Sequence, residues 1–161
     1  MKNDLFDLTQ FSIDEILLLE NQVCFPLYVT AKDVVNAYRP FLEDIDLTYT
    51  QYIVMMVLWE VKSLSVRELG RRLSLDSGTL TPVLKKLEKK GVLTRTRSRE
   101  DERVVDITIT QAGMDLKMVA AKVPEQMNER VQGFSLEEFR QLRELLNKLK
   151  RCLAAGEEKN K

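Results

Sequence analysis

Residues 75–110 read LDSGTLTPVLKKLEKKGVLTRTRSREDERVVDITIT, and within them the period of the sequence changes from that of a helix to that of strands. In the turn SLDSG, Asp76 or Ser77 can cap a helix that runs to about Lys90, where Gly91 ends it. Beyond it, VLTRTRS and RVVDITIT alternate apolar with polar residues and are rich in Val, Ile and Thr, which suits two strands around the polar turn SRED. Immediately upstream, Ser65 to Leu73 fits a short helix with Val66, Leu69 and Leu73 on one face. Two short helices joined by a turn of four to five residues and followed by a basic hairpin are the order of elements in a winged helix-turn-helix.

Each part of that arrangement has a physical role on duplex DNA. The second helix offers the hydroxyls of Ser77, Thr79 and Thr81 near its start and the ammonium groups of Lys85 and Lys86 further on. In a major groove about 12 Å wide the hydroxyls reach base edges and the lysines reach phosphates. Pro82 is expected to loosen the first turn. The hairpin carries Arg95, Arg97, Arg99 and Arg103, and an arginine at a wing tip suits the negative potential of an A·T-rich minor groove. Asp101 is placed to hold the Arg103 guanidinium in a bidentate pair. The plainer alternative for the hairpin is a solvated turn whose charges keep strand edges from aggregating. Charge is compatible with both readings: Lys62 to Arg103 carries 12 basic and 6 acidic residues, a basic module inside an acidic frame because the total is 25 of each, and it is hairpin and helix together that favour DNA.

Outward from this module the chain reads as helices. A hydroxyl followed three residues later by an acid or amide marks helix starts at Ser12 with Glu15, Thr48 with Gln51, Ser65 with Glu68, and Ser135 with Glu138. From Ser12 one long helix is expected to reach Tyr38, kinked at Pro26 and stopped with the help of Pro40. Thr48 to Trp59 is apolar nearly all round and therefore central to the core. Gln111 to Val131 reads as a helix bent or broken at Pro124, Ser135 to Leu153 as a last amphipathic one, and the tail AGEEKNK as frayed. The expected fold is mainly α, a winged helix-turn-helix with a small antiparallel hairpin wing and N- and C-terminal dimerisation helices. The 161 residues suit one domain, with the DNA-binding module at about 46–110 and dimerisation helices at about 10–40 and 111–155. A winged helix of some sixty residues does not need those flanking helices to fold, so their apolar stripes call for a second subunit.

Composition removes several classes of function. There is no histidine, which excludes imidazole bases and most zinc sites, and no metal or cofactor is expected. The start MKNDLFDLTQ lacks the pattern of a signal peptide, and no apolar run approaches a membrane span, so a cytoplasmic protein without membrane contact is expected. Cys24 and Cys152, 128 residues apart, do not form a disulfide framework. From the residues alone Cys24 is either a small buried hydrophobe or a redox thiol. Tyr28 and Tyr38, four and fourteen residues on, share a stripe of about 80° with it on an ideal helix, yet Tyr38 would stand about 21 Å away along that helix. A second chain running antiparallel could bring Tyr38 to Cys24.

The stretch 75–110, with Asp101 and Arg103 in an Asp-x-Arg wing signature, resembles the MarR family of bacterial transcriptional regulators, and NQVCFPLY at residues 21–28 is similar to its organic-hydroperoxide-sensing branch. The resemblance implies a homodimeric repressor that binds a pseudo-palindromic operator in double-stranded DNA. It implies also that Cys24 is the redox sensor, contacted by Tyr28 and Tyr38 of the other subunit. On that reading hydroperoxide converts Cys24 to a sulfenic acid, which forms a mixed disulfide with a low-molecular-weight thiol or is oxidised further, and the protein leaves its operator. Cys152 is expected to be a packing residue. The competing readings are a regulator controlled by a small aromatic ligand with Cys24 only structural, a thiol peroxidase, for which no activating Arg or His is at hand, and a winged helix used only for protein contacts.

Overall fold

The computed structural model describes residues 11–98, 101 and 104–158. The chain divides into two compact units, with the break after Pro124. The first unit opens with α1 (Ile13–Leu17), a 3-10 turn (Leu19–Asn21) and α2 (Cys24–Glu43). The single long helix expected from Ser12 is therefore interrupted. The reason lies in two amide side chains: Asn21 Nδ2 donates to the Glu15 carbonyl at 2.7 Å, and Gln22 Nε2 donates to the Ile16 carbonyl. These bonds satisfy carbonyls that a continuing helix would have used, and Leu18 turns extended. Pro26 consequently does not kink a helix; it is the third residue of α2, where a missing N–H costs no helical bond. Pro40 does not stop α2 either. Burial of Leu42 and the Arg39–Glu43 ion pair at 2.8 Å hold one further turn beyond it.

The helix α3 (Tyr49–Val61) starts at the Thr48–Gln51 capping box and places Val54, Met55 and Leu58 at the centre of the core, as its all-round apolar character requires. Its end at Lys62, with φ of 65°, turns the chain directly into β1 (Ser63–Ser65), a three-residue strand too short to be read from alternation. Then come α4 (Val66–Leu73), capped by Ser65, and α5 (Ser77–Lys89), capped by Asp76. The connection between them is the three residues Ser74–Asp76, shorter than the expected four to five. Ser74 adopts the left-handed conformation that closes α4, and the Asp76 cap lets α5 begin at once. Gly70 permits this tight turn: a Cβ there would stand 2.7 Å from the Leu75 carbonyl oxygen, whose residue donates its N–H back to Gly70.

The strands β2 (Leu93–Arg97) and β3 (Val105–Ile109) pair antiparallel, and β1 adds to the other edge of β3, giving the order β1-β3-β2. Ile107, opposite both Leu64 and Arg95, is the fully buried residue that fastens the sheet to the helices. This is the winged helix-turn-helix, with Leu69, Leu80, Leu84, Leu87 and Leu93 filling the space around α3. Then α6 (Gln111–Ala120) and α7 (Val123–Arg130) follow, so the break expected near Pro124 is present, with Pro124 in the first turn of α7. Thr110 caps α6 and donates its hydroxyl to the Gly91 carbonyl at 2.6 Å, and the Trp59 indole donates to the Gly113 carbonyl at 2.8 Å.

In the second unit α8 (Leu136–Glu158) begins at a complete Ser135–Glu138 capping box and extends past Leu153, where fraying was expected. Phe139, Leu142, Leu146 and Leu153 recur along it at three, four and seven residues and are exposed. No helix among the described residues is long and apolar enough to cross a membrane.

Candidate DNA interface and sensor thiol

At 100° per residue, Leu80, Leu84 and Leu87 turn one side of α5 into the core, and Gly78, Pro82, Lys85 and Lys89 fall within about 60° of each other on the opposite, exposed side. Ser77 and Thr81 lie on one flank with Glu88, toward the wing, whereas Thr79 and Lys86 lie on the other. All five expected reading residues of this helix are thus exposed, over a wider arc than one contact line. Lys89 belongs to the same face and was missed, although its spacing from Lys85 carried the signal. Near the helix start, Asp76 accepts the Thr79 N–H at 2.9 Å and the Thr79 hydroxyl at 2.8 Å, and these bonds hold its carboxyl below the usual carboxylate range. The Thr81 hydroxyl donates to the Ser77 carbonyl at 2.6 Å. Pro82 leaves α5 unbroken from Ser77 to Lys89.

On the wing, Arg95 turns back onto the recognition helix. Its guanidinium donates to the Glu88 carboxylate at 2.7 and 2.9 Å and its backbone N–H at 3.1 Å, and the Arg95 bonds keep that carboxyl below its ordinary range. Arg95 therefore fixes the angle between wing and helix instead of facing outward. Arg97 is exposed near the end of β2. Asp101 is described and its carbonyl accepts the Val104 N–H, but Arg99 and Arg103 lie outside the described residues, and with them the expected Asp101–Arg103 pair. Lys85 stands clear of the ion pairs that occupy Lys90 with Asp46 and Arg95 with Glu88. Lys85→Ala is expected to weaken DNA binding about equally for all sequences and to flatten the plot of log affinity against log salt by about 0.9. A slope identical to the wild type would place Lys85 away from phosphate.

Cys24 is exposed and is the first residue of α2. The reading of Cys24 within the body of a helix missed this; Pro26, a residue favoured in the first turn, carried the signal. Phe11, Ile16, Val23 and Cys24 line an open pocket of about 380 Å³, with Glu15, Asn21 and Gln22 at its polar side. Tyr28 is exposed one turn along α2 from Cys24. Tyr38 is at the far end of the same helix, half-buried, with its ring 5.2 Å from that of Tyr49 and 6.2 Å from that of Tyr52. Burial raises its hydroxyl above the ordinary phenol range, which keeps it a proton donor at neutral pH. Within one chain the structure does not bring Tyr38 to Cys24. Cys152 is exposed on α8 and not packed, contrary to the expectation for it.

The family model described as transcriptional regulator SarA/Rot matches residues 36–118. The chain is 41% identical to the organic hydroperoxide resistance transcriptional regulator of Bacillus subtilis over 88% of its own length and 94% of the relative's. Reduced AbfR bound to DNA superposes with a TM-score of 0.74 at 31% identity, over 85% of this chain and 93% of that one. Overoxidized AbfR bound to DNA gives 0.71 at 32%, over 88% and 99%, and a crystal structure of AbfR of Staphylococcus epidermidis gives 0.71 at 32%, over 85% and 94%. A mutant MarR of Escherichia coli complexed with operator DNA shares the fold, with a TM-score of 0.72 at 23% identity over 86% and 98%. These relatives are regulators, not enzymes, and the match runs through the winged helix and the segment around Cys24 alike. The chain belongs to the MarR family of DNA-binding transcriptional regulators, in the branch of the organic hydroperoxide resistance regulators.

Proposed function

We propose that the protein is a homodimeric repressor that holds a pseudo-palindromic operator until organic hydroperoxide oxidises Cys24. The observation that supports this most is the position of the thiol: exposed, at the start of a helix, and beside the apolar side chains of Phe11, Ile16 and Val23, which suit the carbon skeleton of an organic peroxide. The Cys24 thiolate attacks the terminal peroxide oxygen, the O–O bond breaks, and the alcohol leaves after taking up a proton. Sulfur is oxidised by two electrons to the sulfenic acid as the peroxide is reduced. A low-molecular-weight thiol then forms an S–S bond with Cys24 and water departs. AbfR is bound to DNA in its overoxidized form, which favours the bulkier mixed disulfide over a sulfinic acid as the species that releases DNA here.

Dimerisation is supported by exposed apolar side chains within each unit: Phe25, Leu27, Tyr28, Val34 and Val35 along α2, and Phe139, Leu142, Leu146 and Leu153 along α8. A second copy buries such stripes and places two recognition helices about 34 Å apart, one turn of DNA. It also supplies the Tyr28 and Tyr38 hydroxyls that hydrogen-bond the Cys24 thiolate. A nuclease footprint tests the proposal. The reduced protein is expected to protect two half-sites one turn apart, and cumene hydroperoxide with free cysteine to abolish the protection. Protection that persists once mass spectrometry shows Cys24 fully converted to the adduct sinks the sensor reading.

A further inference from the structure

The start of the recognition helix combines the two residues least suited to a helix interior. Gly78 and Pro82 stand four apart, so the helical bond that should join them is the one Pro82 has no N–H to make. Packing does not ask for either. Both are exposed, and a Cβ on Gly78 would approach nothing in the core, only the Asp76 Oδ1 of the cap at 2.9 Å. The outward side of α5 consequently presents a bare Cα and an apolar pyrrolidine ring.

The neighbouring hydroxyls are spoken for in one respect. A threonine hydroxyl has a single proton, and both Thr79 and Thr81 give theirs to acceptors of their own helix, Asp76 and the Ser77 carbonyl. Their oxygens keep lone pairs and have nothing to donate. Residues 78–82 thus turn outward one apolar ring beside a bare Cα, with the Thr79 hydroxyl on one flank and the Thr81 hydroxyl on the other. In the major groove a G·C pair offers only polar groups, the guanine O6 and N7 acceptors and the cytosine N4 donor, and gives an apolar ring nothing to pack against. An A·T pair offers the thymine methyl, which the Pro82 ring matches.

We propose that the Gly78–Pro82 face of α5 is a specificity element that selects A·T pairs through the thymine methyl, with the Pro82 ring against it. The proposal rests on α5 entering the major groove, and its test separates the two. Duplexes are selected from a random-sequence pool by the full-length reduced protein. Each thymine of the enriched half-site is then replaced by deoxyuridine, which removes only the methyl. For the wild type, one replacement is expected to weaken binding about fourfold, the worth of one methyl-sized group kept from water. Pro82→Ala restores an N–H to the Gly78 carbonyl and removes the ring. It folds more readily as a helix, and it is expected to lose less than twofold at that same replacement. The inference is overturned if no deoxyuridine weakens the wild type, if Pro82→Ala loses as much, or if the enriched half-sites carry guanine on both strands' contacts in place of A·T pairs. A pool that shows no enrichment at all overturns the major-groove reading, and this inference with it.

Discussion

Cys24→Ser protein is expected to bind its operator as the reduced wild type does and to remain bound in cumene hydroperoxide and free cysteine, where the wild type is expected to lose about 5- to 150-fold in affinity. The substitution changes one atom at an exposed position, so folding is little affected. A hydroxyl in place of the thiol is not oxidised by peroxide and forms no disulfide, so neither the added bulk nor the lost tyrosine hydrogen bonds arise. The size of the wild-type response follows from what a covalent adduct can do to a two-state dimer. It shifts the balance between competent and incompetent spacing of the two recognition helices only by its different cost in each. Equal release of both proteins would dismiss Cys24 as the sensor and direct attention to Cys152, which is also exposed. A fluorescence-anisotropy titration on a labelled operator reads the outcome directly.

Gly113→Ala is expected to be the most disruptive single-methyl change in the winged helix. The added Cβ would overlap the Val92 carbonyl oxygen and stand 2.7 Å from the Ile109 Cγ1. Neither is the free end of a flexible side chain on the surface: Val92 also accepts the Thr110 N–H at 3.1 Å, and Ile109 is in β3 and donates its N–H to the Lys62 carbonyl. Relief requires α6 to move away from the sheet, which strains the Thr110 cap and the Trp59–Gly113 hydrogen bond together. Overpacking of this kind costs about 3 kcal/mol, which for a chain of this size lowers Tm by about 6–12 °C. A calorimetric scan showing a shift under 2 °C would mean that the start of α6 yields more easily than these contacts allow. Gly156, where an added Cβ meets nothing within 4 Å, is the control, and Gly156→Ala is expected to leave Tm unchanged or slightly raised.

The order of elements from α3 to α6 was legible because local signals agreed with one another. Asp76 before an apolar run, Gly91 at its end, and alternating β-branched residues on both sides of a polar turn all point to one arrangement, and hydrophobic burial ratifies it. The N-terminal region was read less well because its breaks depend on side chains bonding backbone six residues away, as Asn21 and Gln22 do, and no periodicity encodes that. The strand β1 escaped because it gains its partners only after β3, more than forty residues later, folds back on it. At the site, residue type was legible and orientation was not. Arg95 reads as one more wing cation until the turn at Gly91 places it against Glu88, and the hydroxyls of Thr79 and Thr81 read as base contacts without any sign that their own helix takes the protons.

Trp59 is the sole tryptophan of the chain, half-buried, hydrogen-bonded to the backbone of α6 and 6.1 Å edge-on from Tyr52. Tyr52 in turn lies 6.2 Å from Tyr38, at the end of the helix that begins with Cys24. Ultraviolet emission from the unlabelled protein therefore comes from one indole at the junction of α3 and α6. Tyrosines beside it, on the same helix and at the far end of α2, feed that indole by energy transfer. The molecule carries its own optical probe, native to the sequence, at the place where α3 of the winged helix meets α6.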